Sequence, residues 1–488
     1  MSNPIKKLLG QTAIYGLSSI VGRLLNYLLV PLYTYVFADP AHYGVASELY
    51  AWVAFLIVLL TFGMETAFFR FLQDDKTSNQ SFKTAWWVVS VVNLIFLVLL
   101  LLFDEEVATF MLFEGHNEYI ILLGLVVFVD AITSLPLAQL RAQEKALKFA
   151  TIQFSSIAVN IGLNLLFMLW LFDPERPEEG VLFILVANLI ASLVKPMMLI
   201  SSYRLFEFIP DFEQVKKMLV YAFPLVIAGF AGIINETLDR ILLKQIIYDP
   251  AIPASLHQAE AQVGIYSACY KLAMLVTILL QAYRYAAEPF FFNQMKNSDR
   301  NQTYVTIMNY FVATVSLVFL VVSLNIDIFK HFIRNESYWV GLDVVPILLL
   351  ANVFLGIYYN QSIWYKLSGK TQYGAYIAII GALLTVVINI IFIPEFGFLA
   401  SAWATLAVYA TQMIISYFLG QKFEPIPYNL RKFALYLFGA VGIYALLSPY
   451  ADAFSLSNFF FKNTVIFGYV ILVFLVERKR FLGGIFGG

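Results

Sequence analysis

The chain has 488 residues, of which 60% are hydrophobic and only 13% charged, with a formal net charge of −1. Soluble domains carry about 25% charged residues, so this balance excludes a soluble globular protein and describes one that crosses a membrane many times. The near-zero net charge gives no case for nucleic acid, and a single cysteine, Cys269, rules out an intramolecular disulfide.

Apolar windows bounded by charges, Pro or Gly predict fourteen spans, at roughly 11–37, 47–70, 82–103, 120–140, 151–171, 181–203, 218–247, 264–290, 304–324, 344–365, 373–393, 398–419, 430–447 and 462–476. The first follows Lys6 and Lys7; its length and the lack of a small-residue cleavage site make it a retained span rather than a signal peptide. The last two are interrupted by Pro449 and a Ser/Asn segment. Residues 205–217 read as an interfacial helix or linker, and no loop is long enough for a soluble domain. Of the 31 Lys and Arg residues, 21 fall in alternate segments, while the other loops hold only Arg176, Lys330, Arg334 and Lys462. That asymmetry predicts both termini on the cytoplasmic side. His42, His116, His257 and His331 fall in the predicted outer loops and read as isolated, solvated side chains.

The chain also repeats. A shift of 220 residues sets Gly44-Val-Ala-Ser47 against Gly264-Ile-Tyr-Ser267, with seven identities in 28 ungapped positions. Upstream, Asp39-Pro40-Ala41 echoes Asp249-Pro250-Ala251. Two parallel six-helix halves related by an axis along the membrane normal follow from this, with an appended C-terminal hairpin. The expected fold is therefore an all-α polytopic membrane protein of about 14 helices. Its divisions are 1–205 (N-terminal lobe), 206–217 (cytoplasmic linker), 218–420 (C-terminal lobe) and 421–488 (helices 13 and 14).

No phosphate loop, metal cluster or nucleophile elbow is present, so nothing points to an enzyme or a bound cofactor. Polar groups inside spans carry the functional reading, because a charge at the bilayer centre costs ~2.5–3.5 kcal/mol on insertion scales. At ~1.5 Å of rise per residue, Arg23 lies about 18 Å into the first span, with Asn26 one turn on, and Asp130 is also central. Lys195 lies in the inner half of the sixth span, just before Pro196. In the seventh, Glu236 and Arg240 are spaced to pair, as are Asn235 and Asp239. The eighth carries Lys271, then Gln281, Arg284 and Glu288 on one stripe. Lys244, Arg284 and Glu65 lie close enough to an interface to snorkel. Arg23 reads either as a structural cation bonded to carbonyls or to Asp130, or as an anchor for an anionic substrate. Asp130 reads as a partner for a cation or as a proton or Na+ site. The Glu236–Arg240 pair is a gate, a structural link or a substrate contact. Prolines 31, 136, 196, 224, 289 and 346 suit bending helices. Trp86, Trp87 and Trp339 read as interfacial residues, and Tyr27, Tyr33, Tyr270, Tyr283 and Tyr285 as platforms for sugars.

Residues 15–50 (YGLSSIVGRLLNYLLVPLYTYVFADPAHYGVASELY), 221–243 (YAFPLVIAGFAGIINETLDRILL), 263–276 (VGIYSACYKLAMLV) and 366–405 (KLSGKTQYGAYIAIIGALLTVVINIIFIPEFGFLASAWAT) resemble the polysaccharide transporters and O-antigen flippases of the multidrug/oligosaccharidyl-lipid/polysaccharide flippase superfamily. The resemblance covers 1–420 and implies two lobes around a central cavity, alternating access and a lipid-linked oligosaccharide as cargo. It implies substrate contacts at Arg23 and, by extension, Arg240 and Lys271; the in-span polar residues add Lys195 and Asn26 as candidate substrate contacts and Asp130, Glu236 and Asp239 as candidates for ion coupling or gating. Coupling to Na+ or H+, a bacterial inner-membrane location, lipopolysaccharide biosynthesis and partner glycosyltransferases or a polymerase are expectations of the same kind. A cation-coupled small-molecule exporter and a non-transporting scaffold of a glycan-synthesis complex remain alternatives.

Overall fold

A computed structural model describes residues 20–72, 80–200, 211–294, 299–451 and 454–486. These residues are helical, with no strand among them. Fourteen long elements run in chain order: α1 Ile20–Val36, α2 Pro40–Leu72, α3 Gln80–Leu102, α4 Asn117–Ala142, α5 Ala146–Leu171, α6 Pro177–Leu199 and α7 Phe212–Ile247. They continue with α8 Ser255–Gln294, α9 Arg300–Leu324, α10 Val344–Leu367, α11 Gln372–Phe396, α12 Phe398–Phe423, α13 Leu430–Tyr450 and α14 Leu456–Phe486. Among the described residues, thirteen of these are long and apolar enough to cross a membrane, α1 being the shorter one. The protein is thus a multi-pass membrane protein.

Local chemistry sets the helix ends. The Asp39 carboxylate accepts from Ala41 N at 2.9 Å and Pro40 opens α2, an N-cap followed by a residue whose missing N–H costs nothing there. Asp249 makes the same bond to Ala251 N at 2.9 Å, so the sequence echo between the two tripeptides is also an echo in geometry. Phe62 and Gly63 take left-handed φ values of 51° and 63° and break α2 before its last turns. Asp211 caps α7 through Glu213 N and Gln214 N. Residues 212–217 are therefore the first turns of a 36-residue helix; residues 206–210 of the expected linker lie outside the described residues.

Packing divides the chain into two compact units, Met1–Ser267 with Ala378–Ser401, and Ala268–Ile377 with Ala402–Gly488. In the first, Met64, Phe68, Val89, Leu135 and Met218 form a buried core joining α2, α3, α4 and α7. Lipid is as apolar as leucine, so polar bonds must help choose helix partners. Asn93 of α3 donates to Leu60 O at 2.9 Å, Trp86 to Ile132 O at 3.0 Å, and Gln214 to Ser81 Oγ at 2.9 Å. Trp86 is thereby tied into the helix packing by its indole N–H.

The helices α2 and α8 cross at the repeated glycines. A Cβ on Gly44 would lie 1.9 Å from Glu260 O, and one on Gly264 would lie 1.9 Å from Pro40 O. Each glycine faces the carbonyl four residues before the other, a local two-fold arrangement that the 220-residue repeat encodes.

In the second unit Asn352 donates to Ala273 O at 3.1 Å and the Trp364 indole to Ser416 Oγ at 3.2 Å. The Lys462 ammonium, expected in an outer loop, is fully buried and bonds Asp327 Oδ2 at 2.8 Å. The correction has a simple cause: α14 begins at Leu456, six residues before the apolar window, and the pairing lets the ammonium stay inside. A second buried carboxylate, Glu477, accepts from Lys432 at 2.6 Å and from the Tyr436 hydroxyl at 2.7 Å.

Candidate functional site

Three helices of the first unit turn polar stripes toward one cavity of about 330 Å³. From α5 come Gln153, Ser156, Ile157 and Asn160, and from α6 Asn188, Ala191, Ser192 and Lys195. Both sets follow the i, i+3, i+4, i+7 spacing that lines up one face of a helix. From α1 come Gly22, Arg23 and Asn26, and Asp130 of α4 closes the ring. A Cβ on Gly22 would sit 2.7 Å from the Ile157 side chain, so glycine lets α1 approach α5 closely.

Four residues singled out from separate spans, Arg23, Asn26, Asp130 and Lys195, thus line a single cavity. Lys195 Nζ bonds Asp130 Oδ1 at 2.8 Å, and both side chains are largely buried, at 18% and 25% exposure. Arg23 is exposed and, among the described residues, its guanidinium has no hydrogen-bond or ion-pair partner. The bond to Asp130 that a structural role for Arg23 would use is instead made by Lys195. Asn160 Nδ2 reaches Asn26 Oδ1 at 3.5 Å, and the stripe continues to Asn164, which accepts from the Tyr33 hydroxyl at 2.8 Å. The Ser156 hydroxyl donates to Ala191 O at 2.7 Å and fixes α5 against α6. Sequence reasoning from charge alone missed Gln153, Asn160 and Asn188; their helical spacing was the available signal.

The polar residues of α7 form a different cluster. The Arg240 guanidinium bonds Asp239 Oδ1 at 3.3 Å and Glu236 O at 3.0 Å, and Asp239 also accepts from the Tyr266 hydroxyl. Glu236 is exposed and, among the described residues, its carboxylate makes no ion pair. The expected Glu236–Arg240 pair therefore does not form, because the neighbouring carboxylate of Asp239, buried at 4% exposure, holds the guanidinium. Asn235, expected to pair with Asp239, donates to Ala378 O at 3.2 Å and accepts from the Thr385 hydroxyl at 3.1 Å, both on α11. Lys271 and Arg284 belong to the second unit, where Arg284 lies 4.3 Å over the Tyr359 ring. The side chains of Tyr285, Glu288 and Pro289 lie outside the described ones.

Lys244 does not snorkel. It is fully buried, 3.0 Å from Glu48 Oε2 of α2 and 3.3 Å from Glu260 Oε1 of α8. Nor are all the histidines isolated: His257 lies 2.6 Å from Asp39 and His116 3.0 Å from Glu118. Burial pushes the Asp39 carboxyl up, but the Ala41 N–H and the His257 ring outweigh it and hold it below its ordinary value. The second unit has an apolar cavity of about 210 Å³ lined by residues that include Met308, Val312, Met413, Tyr417 and Phe433.

The described residues thus form an all-helical membrane protein with a polar, cation-bearing cavity among four helices of its first unit. Its fold is similar to that of the lipid II flippase MurJ in an inward closed conformation, with a TM-score of 0.69, 15% identity, and 96% of this chain and 99% of that one covered. It is also similar to an inward-facing multidrug resistance MATE family transporter of the MOP superfamily, with a TM-score of 0.62, 14% identity, and 83% and 94% covered. The family described as "Polysaccharide biosynthesis protein" matches residues 8–295, and the chain belongs to it. A Haemophilus influenzae protein named "Uncharacterized membrane protein" is 22% identical over 280 residues, which are 55% of this chain; the chain spans 64% of that protein's length.

Proposed function

We propose that the protein is a flippase that carries a polyprenyl-pyrophosphate-linked oligosaccharide from the cytoplasmic to the periplasmic leaflet by alternating access, for bacterial surface polysaccharide such as O-antigen. The observation that carries this reading is the Arg23 guanidinium, without a partner among the described residues, in the polar cavity of α1, α4, α5 and α6. Guanidinium binds phosphate oxygens in a bidentate fork. Around it the amides of Asn26, Gln153, Asn160 and Asn188 offer donors and acceptors suited to sugar hydroxyls. Ligand cavities usually run from ~300 to ~1,000 Å³, so this one suits the phosphate and the adjoining sugar rather than a whole glycan. The apolar cavity of the second unit suits hydrocarbon. The family, whose description is polysaccharide biosynthesis, supports the glycan, and the loop charges support an inner-membrane protein with both termini cytoplasmic. Glycosyltransferases or a polymerase of the same pathway are the matching partners.

The test replaces Arg23 by Ala and by Lys in cells that depend on this exporter and measures surface glycan against membrane abundance of the protein. Loss of glycan in R23A at normal abundance, with partial recovery in R23K, is expected. Unchanged glycan in both well-expressed variants overturns the reading. The cation-coupled exporter is favoured only by the carboxylate of Asp130 in the cavity; it predicts drug sensitivity on deletion and loss of efflux in D130N. A scaffold would tolerate neutralisation of every charge in the cavity.

A further inference from the structure

Where α2 and α8 cross, Glu48 follows Gly44 by one turn and Glu260 precedes Gly264 by one turn. Between these carboxylates stands Lys244 of α7, its ammonium also 3.2 Å from Met111 O and 3.4 Å from the centre of the Phe113 ring. Lys244 and Glu48 have 0% and 1% of their side chains exposed, and Glu260 has 16%. One ammonium therefore faces two carboxylates, and with all three ionised the site carries a net charge of −1. The remaining polar contact on Glu48 is neutral: the Trp52 indole donates to Oε1 at 3.2 Å. Glu48 Oε2, although 3.0 Å from Lys244 Nζ, receives no aligned hydrogen bond. The other titratable groups that act on the cluster are His42 on α2, His257 on α8 with its partner Asp39, and Tyr119 on α4.

An uncompensated charge buried among helices is expensive, and a buried site relieves it by taking up a proton. We infer that Glu48, Lys244 and Glu260 form a buried proton-binding site that holds one proton on its two carboxyls. Uptake from a hydronium ion leaves water, one carboxylate paired with the ammonium and one neutral carboxyl. The more exposed carboxyl, Glu260, is the exchange point, and the solvated His257–Asp39 pair, 61% and 40% exposed, lies near enough for the His257 ring to act on it. By the topology that the loop charges predict, that water is on the outer side. Separation of α2 from α8 hydrates both carboxyls and releases the proton, so proton binding and closure of the crossing are linked. The site stands apart from the cargo cavity and does not depend on which substrate the protein carries.

Infrared difference spectroscopy on the full-length protein in lipid vesicles at neutral pH, in H2O and in D2O, reads protonated carboxyls directly. The wild type is expected to show a deuterium-sensitive carboxylic acid band that disappears in E260Q and, separately, in E48Q, because one carboxylate and one ammonium leave no charge excess. K244M is expected to enlarge the band, and E175Q, at an exposed carboxylate with no contact to the cluster, to leave it unchanged. Size-exclusion profiles confirm that each variant is folded; if E48Q is not, E260Q at the more exposed end carries the test. A wild-type spectrum that E260Q does not alter overturns the site. A wild type stabilised by sodium over potassium, with that difference abolished in E260Q and no band lost, also overturns it in favour of a metal cation.

Discussion

Replacing Gly44 by alanine tests the crossing on which the first unit depends. The new methyl would lie 1.9 Å from Glu260 O and 2.9 Å from Gly264 N, against 3.4 Å or more for ordinary contact. These are backbone atoms, so no side chain can rotate away, and α2 and α8 must part by about 1.5 Å. Overpacking of this kind costs about 1–3 kcal/mol. The separation also strains the bridge of Lys244, which cannot keep both its 3.0 Å contact to Glu48 and its 3.3 Å contact to Glu260. A total of about 3 kcal/mol is expected, or roughly 6 °C at ~2 °C per kcal/mol for a body of this size. The assay is thermal unfolding of the purified protein in detergent at one fixed scan rate, with G162A as the control. Gly162 has nothing within 4 Å of its would-be Cβ, and an alanine there gains helix propensity of up to ~1 kcal/mol. The double variant G44A/G264A should lose little more than G44A alone, because one substitution already parts the helices. A G44A protein that melts with G162A, or strict additivity of the two glycine changes, would refute the reasoning.

The remaining predictions concern ion pairs. In the cavity, K195M and D130N each leave a charge without its partner, so each should lower the melting temperature, and the double variant should recover part of the loss, with a coupling of about 0.5–3 kcal/mol. K462M strands the fully buried Asp327 carboxylate and should destabilise by about 3–5 kcal/mol, measured by the same unfolding assay; K462M/D327N should regain most of it. Asp39 gives the pH dependence. Its folded carboxyl is held below the ordinary value, so its contribution is present above that range and is lost as pH falls through the lowered value. D39N should therefore be less stable than wild type at neutral pH, and the gap should close only below about pH 4.

Much of this was legible in the amino-acid order. Hydropathy places the helices, because a chain in lipid must bond its backbone within each span. The repeat foretold a Gly44–Gly264 equivalence, which the structure realises as a direct contact. Arg23, Asn26, Asp130 and Lys195 were identifiable one by one, since a polar group in a span must turn inward, and the fold gathers them. Pairing was less legible. Spacing alone suggested Glu236–Arg240, but an adjacent, more buried carboxylate won the guanidinium. Lys244 and Lys462 were misjudged because hydropathy windows shorten helices at their charged ends. The helices α8 and α14 in fact begin at Ser255 and Leu456, which carries Glu260 and Lys462 inside. Which loop carbonyl or carboxylate then meets a lysine depends on contacts between distant helices, such as Met111 O with Lys244, that no local pattern records.

The charge stoichiometry of the cations inside the spans offers a way to tell scaffold from function. Lys462 with Asp327, and Lys195 with Asp130, are one-to-one pairs at 2.8 Å and neutral as they stand. Two of the sites described above depart from that ratio. Arg23 has no carboxylate partner among the described residues, so with the Lys195–Asp130 pair cancelled the lining of its cavity retains one positive charge, which on the function proposed above suits an anion. Lys244 has two carboxylates, so its site has one negative charge too many and favours a proton. A membrane interior tolerates neither excess well, because its low dielectric returns little of the lost hydration. On the two proposals made above, each departure is where a species from outside completes the charge balance, and the opposite signs call for different ligands.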